Sequence, residues 1–235
     1  MDHEPPPFEE RPRYSDEEIA PPDTAKPRRA GGFVSLSAGA GHCGSWCGHM
    51  AALGGGRFEA GYRWGHVALG ANASLVGGRF DTPASTDTDL YFTEDARGST
   101  RFFHVGPMLQ FFPASRGRFD PYVSAGVGFR RVVDLADVED VDGEVKYWES
   151  GLGFTVGAGV PVYVTERVAI GLRYDKTFAV GGNLCYTVGG ETPRGAERCE
   201  AWSKLTDELN TVDERAARLT RPRPWTVAFE MRVAF

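Results

Sequence analysis

A period of two, sustained over stretches too long for an ordinary soluble sheet, constrains this chain more than any other feature. Phe58, Ala60, Tyr62 and Trp64 alternate with Arg57, Glu59, Gly61 and Arg63. Val67, Leu69, Ala71 and Ala73 follow the same rule, as do Phe103, Val105, Pro107, Leu109 and Phe111. Further runs are Val123 to Phe129, Phe154 to Val162, Val168 to Tyr174, and Trp225, Val227, Phe229, Met231, Val233 and Phe235. With residues 32–42 (GFVSLSAGAGH), this predicts eight strands of about ten residues or more, the length a tilted strand needs to cross a bilayer, against about five or six in soluble sheets.

The spacing between runs alternates too. Gly65-His66, the stretch near 114–120 and Thr165-Glu166 are short, whereas those near 43–52, 80–100, 135–148 and 181–223 are longer and mostly polar. Short turns at one end and long loops at the other are expected of an up-and-down membrane barrel. The expected fold is therefore all-β: an eight-stranded antiparallel transmembrane β-barrel over residues 32–235.

Composition permits this. Mean hydropathy is -0.32, and no run reaches the roughly 18 apolar residues of a membrane-spanning helix. Strands that face lipid on one side only keep the average low. A net charge of -6 argues against nucleic acid as the partner, since neutralising phosphates needs a basic face. Residues 1–31 differ from the rest: seven prolines, many charges and few aliphatic residues predict a disordered tether, placed in the periplasm by the barrel reading. The opening MDHEPPPFEERPRYSDEE has neither the basic nor the apolar region of an export signal.

The apolar set of the alternation is bulky and continuous, whereas the other set mixes small residues with charges of both signs. Glu59, Arg63, Arg130, Arg173, Asp175, Glu230 and Arg232 all belong to this second set. Placed inside an eight-stranded barrel, whose interior side chains can fill, they predict a plugged lumen with paired charges. The alternative is a soluble ligand-binding barrel with these charges outside. Aromatic placement favours lipid: Trp64, Phe111, Tyr122, Tyr163 and Phe235 fall at short-turn ends, and Phe103, Phe129, Trp148, Phe178 and Trp225 at long-loop ends, as two interfacial belts would.

The segments GRFEAGYRWGHVALGANASLVGG, FDPYVSAGVGFRRV and VAFEMRVAF resemble the OmpA-like group of small bacterial outer-membrane barrels. That resemblance implies the Gram-negative outer membrane, a periplasmic C-terminus, and contact with the lipid bilayer and lipopolysaccharide. It also implies that Phe229, Met231, Val233 and Phe235 are read by the barrel-assembly machinery.

Catalytic motifs are scarce. There is no G-x-S-x-G, P-loop, H-E-x-x-H or dinucleotide fingerprint. His104 with Ser99 or Ser124 is the one assembly a lipid A-modifying enzyme could use, and a lumen histidine is the plainer reading. The expectation is a non-enzymatic barrel, without cofactor or metal, whose role is structural, adhesive or partner-binding through its extracellular loops. The last loop contains ERCEAWSKLTDELNTVDERAARLTR, with Ala201, Leu205, Leu209, Val212, Ala216 and Leu219 near helical spacing, so it predicts a helical insertion of about 20 residues.

Four cysteines complete the pattern. Cys43 and Cys47 lie in the first long connection, GHCGSWCGHM, and Cys185 and Cys199 in the fourth. All share one side of the membrane, where disulfides persist. Cys43–Cys47 with Cys185–Cys199 is the preferred pairing, with a cross-loop arrangement and a zinc site as alternatives. Trp46 is the candidate for partner contact in an extracellular protein or envelope complex.

Overall fold

The computed structural model describes residues 29–43, 53–82, 96–114, 117–138, 144–187, 198–201 and 223–235. Among the described residues there are nine strands: β1 (Gly31–His42), β2 (Leu53–Trp64), β3 (Val67–Thr82), β4 (Ala96–Phe111), β5 (Tyr122–Val138), β6 (Glu144–Tyr163), β7 (Val168–Thr187), β8 (Arg198–Ala201) and β9 (Trp225–Ala234). Each of β1 to β7 pairs antiparallel with the next, β7 pairs with β9, and β9 pairs with β1. This closes a ring of eight staves. Closure leaves no free edge in the ring, so every spanning strand satisfies its backbone within the protein, as hydrocarbon requires. β8 pairs with the far end of β7, beyond β9.

The alternation sorts the side chains. Leu36, Phe58, Leu69, Leu109, Val127, Leu172 and Phe229 point out and are exposed, Leu172 by 62%. Ser35, Glu59, Asn72, Gln110, Arg173 and Glu230 point in and are buried. A soluble barrel would show the opposite arrangement, so that alternative fails on the outer wall. The short-turn end is tight. Gly65, at φ +56°, supplies the left-handed step of the two-residue turn between β2 and β3, a conformation that costs a residue with a Cβ.

Five spanning strands run longer than their alternation suggested. β3, β4, β5, β6 and β7 take in residues that the sequence assigned to connections, and β7 reaches Thr187. Beyond the membrane both faces of a strand meet water, so the contrast that marks a lipid-facing strand disappears. The helix expected near 197–221 is not seen where it can be followed. Arg198–Ala201 form β8 instead, and residues 202–222 lie outside the described residues. Most of the N-terminal tether (1–28), Trp46 and Cys47 also lie outside them.

Candidate functional site

Each of the seven charged residues placed in the lumen by the alternation is buried there. The centre of the barrel holds three arginines against three carboxylates. Glu59 Oε1 lies 2.7 Å from both Arg57 Nε and Arg173 Nη1. Asp175 Oδ1 lies 3.3 Å from Arg57 Nη1, and its other oxygen accepts from Arg173 Nε. Arg232 Nη2 lies 3.0 Å from Glu230 Oε1 and 3.9 Å from Glu59 Oε2. Ser35 Oγ and Tyr122 Oη donate to Glu230 at 2.8 and 2.7 Å, and Gln110 Nε2 donates to Glu59 Oε2 at 2.9 Å. Burying a charge is costly unless it is matched and hydrogen-bonded, and each carboxylate here meets both conditions.

The strands supply these groups by register. Ser35 faces Glu59 on β2 and Arg232 on β9. On β6 four inward positions, Gly151, Gly153, Gly157 and Gly159, are glycine, which leaves room for the large side chains of its neighbours. A Cβ on Gly159 would lie 2.4 Å from the Tyr122 ring, and one on Gly157 would lie 2.4 Å from Asp175 Oδ1.

Two further layers complete the filling. Toward the short-turn end, Arg63 stacks on Phe112, 3.5 Å from its centroid, and pairs with the fully buried Asp120. Phe33, Tyr122 and Tyr163 are buried beside them. Toward the long-loop end, Arg130 Nη1 pairs with Glu149 Oε2 at 2.8 Å, and beyond lies an apolar cluster of Cys43, Leu53, Phe102 and Val132. Between the ion pairs and this cluster is a cavity of about 40 Å³ lined in part by Ser37, Ser74, His104 and Thr177. It has space for a few water molecules only.

Several expectations need correction. Tyr122 and Tyr163 belong to no lipid belt: their parity points them inward, where the Tyr122 hydroxyl serves Glu230. Trp64, Phe111, Phe235 and Trp225 do lie exposed at strand ends, whereas Phe103 and Phe129 are exposed in the middle of β4 and β5, which run on past them. Cys185 and Cys199 are bonded as preferred, but both sit in strands, directly opposite one another on β7 and β8. Cys43 is also in a disulfide, and Cys47 lies outside the described residues. Arg57, Asp120 and Glu149 were missed. Arg57 shares the parity of Glu59, a signal that was present, whereas Asp120 lies in a turn and Glu149 between the connection near 135–148 and the run that begins at Phe154.

Among the described residues no catalytic set assembles at His104. Its Nδ1 lies 3.1 Å from Asn72 Oδ1; Ser124 is also buried, and Ser99 sits on the opposite, outward parity. Among the described residues no group of His, Cys, Asp and Glu could hold a metal ion.

Solved structures share this fold. The outer membrane protein OprG from Pseudomonas aeruginosa matches with 11% identity and a TM-score of 0.55, over 89% of this chain and 99% of that one. Neisserial surface protein A matches with 14% identity and a TM-score of 0.50, over 87% and 96%. No curated protein sequence matches. The family model described as an outer membrane protein beta-barrel domain matches residues 24–188. With a closed eight-stave ring, an apolar outer wall and a charge-filled lumen, the chain belongs to the outer membrane protein β-barrel domain family.

Proposed function

We propose that this protein is a non-enzymatic outer-membrane barrel whose lumen is a solid post and whose long connections, facing the outside of the cell, bind a partner. The filled lumen carries the reading. Ion pairs span it at mid-height from β2 to β7 and β9, with an aromatic layer on one side and an apolar cluster on the other. A solute path would have to break buried pairs whose partners would be left uncompensated. Binding is then left to the rim, where β4 to β8 rise beyond the apolar belt. In this orientation both termini are periplasmic, and Trp46 and residues 83–95, 139–143 and 188–222 are offered outward.

Liposome swelling with the folded protein tests the lumen, and an epitope inserted within residues 83–95 tests the orientation on intact cells. Expected are swelling no faster than that of empty liposomes and an epitope open to antibody without permeabilisation. Rapid sugar entry, or an epitope reached only after permeabilisation, would overturn the reading. Lipid A mass analysis checks the alternative of a lipid A-modifying enzyme. The mass should be the same with and without the protein, and a His104-dependent change would restore the enzyme.

A further inference from the structure

The outward face of β3, β4 and β5 carries three exposed arginines, Arg79, Arg101 and Arg131, just beyond the apolar belt at the long-loop end. Arg101 is paired with Gly77 and Arg79 with Ser99, while Arg131 is paired with Phe103. Arg79 and Arg131 are therefore each one diagonal step from Arg101, about 7–8 Å between backbones, within reach of long side chains converging on one group. The Arg101 stem lies over Gly77, with Cγ 3.5 Å from where a Cβ would stand.

Depth places the row at headgroup level. From Phe111 to Phe103 the outward positions of β4 are apolar, and eight residues at a tilt of about 40° span about 20 Å of hydrocarbon. Arg101 is the next outward position, about 5 Å further. Among the described residues none of the three makes an ion pair, whereas Arg97, two outward positions (four residues) beyond Arg101, has a partner and sits in register between Asp81 and Asp137. Interfacial cations that merely anchor a barrel would ring it. Here the other cations stand singly: Arg223 is exposed two residues before Trp225 and Lys176 lies over Phe178, while β3, β4 and β5 bring three together.

We propose that Arg79, Arg101 and Arg131 form a binding site for the headgroup phosphate of a lipid A-type glycolipid, with its acyl chains lying on Leu75, Phe103 and Phe129. Guanidinium forks match phosphate oxygens bidentately, and the exposed apolar residues just below suit the chains. The choice of a glycolipid over a phospholipid rests on the orientation proposed above, which puts this end in the outer leaflet.

The test uses the full chain folded in detergent, titrated with lipid A, with its dephosphorylated form and with inorganic phosphate, binding being followed by native mass spectrometry. Expected are a preference for the phosphorylated lipid, no displacement by millimolar inorganic phosphate, and at least about tenfold weaker binding for R79Q/R101Q/R131Q. K176Q, on β7 three staves from β4, should bind as the parent does. Unaltered binding by the triple variant, equal binding of the dephosphorylated lipid, or displacement by inorganic phosphate would overturn the proposal. If the glutamine triple fails to give a heat-modifiable folded band, R79K/R101Q/R131K is read the same way. Binding in micelles does not depend on which way the barrel faces, so its failure leaves the epitope result standing, and the reverse.

Discussion

Nη1 of Arg173 on β7 lies 2.7 Å from Oε1 of Glu59 on β2, so the two sides of the barrel are joined through its centre. Glu59 also lies within 4 Å of Arg57 and Arg232, and it is the carboxylate on which the central cations converge. Replacing it with glutamine keeps the shape and leaves three arginines with two carboxylates. Because the unmatched cations stay buried, E59Q should lose about 3–5 kcal/mol of stability. Denaturant unfolding of the detergent-folded barrel, followed by the loss of the unboiled gel band, measures this. A variant as resistant as the parent would show that the pairs are not holding the staves together.

Space is as tightly assigned as charge. In Gly159→Val the new side chain would enter the Tyr122 ring, displacing the hydroxyl from Glu230. Overpacking of this kind costs about 1–3 kcal/mol. Gly54→Ala is the control, because its Cβ would meet nothing within 4 Å, and it should leave the unfolding midpoint unchanged.

The turn between β4 and β5 yields a graded pair of outcomes. Asp120 is wholly buried against Arg63, while the guanidinium of Arg29 reaches its carboxylate at 3.7 Å from a partly exposed position and donates to Gly117 O at 2.6 Å. D120N should therefore cost several times as much as R29Q, about 3 kcal/mol against about 1 or less. Equal losses would mean that Arg29, not Arg63, is the main partner.

How much of this was readable follows from where the solvent changes. Inside the bilayer the two faces of a strand meet lipid and lumen, so the parity that separates Phe58 from Glu59 is written in every other residue. Arg173 and Glu230 could be placed in the lumen on that ground alone. The identity of the pairs could not, because register across the barrel depends on closure and stagger rather than on any one strand. Tyr122 misled because an aromatic residue at a strand end suits an interface and a lumen equally. Glu149 was hidden because it stands on β6 ahead of the part that crosses the membrane, where alternation carries no signal.

Cys185 and Cys199 face each other across β7 and β8, with a separation of 14 residues in sequence. Closing a loop of that size contributes about 3 kcal/mol, and here it acts on the short ladder Asn183–Tyr186 against Arg198–Ala201. In C185S/C199S the amides of this ladder should lose hydrogen-exchange protection, while Val168–Lys176, held by β9, keeps its own. Non-reducing peptide mapping of the parent should return Cys185 joined to Cys199 and Cys43 joined to Cys47. A peptide linking the first long connection to the fourth would sink the local pairing.

Phe235 separates biogenesis from stability. Its amide donates to Gly32 O at 2.9 Å, fastening the last residue of the chain beside β1, and its ring lies against Gly32 while remaining 56% exposed. Phe235→Ala keeps the backbone bond and removes only a ring that already faces lipid, so folding into detergent micelles should change by about 1 kcal/mol or less. If the ring is read during assembly, as the resemblance of the closing strand implies, the same variant should reach the outer membrane in cells at a small fraction of the parent level. Fractionation with a heat-modifiability gel reads both quantities. Parent-level delivery by Phe235→Ala would remove the recognition role, and a matching loss in micelles would reduce it to ordinary packing.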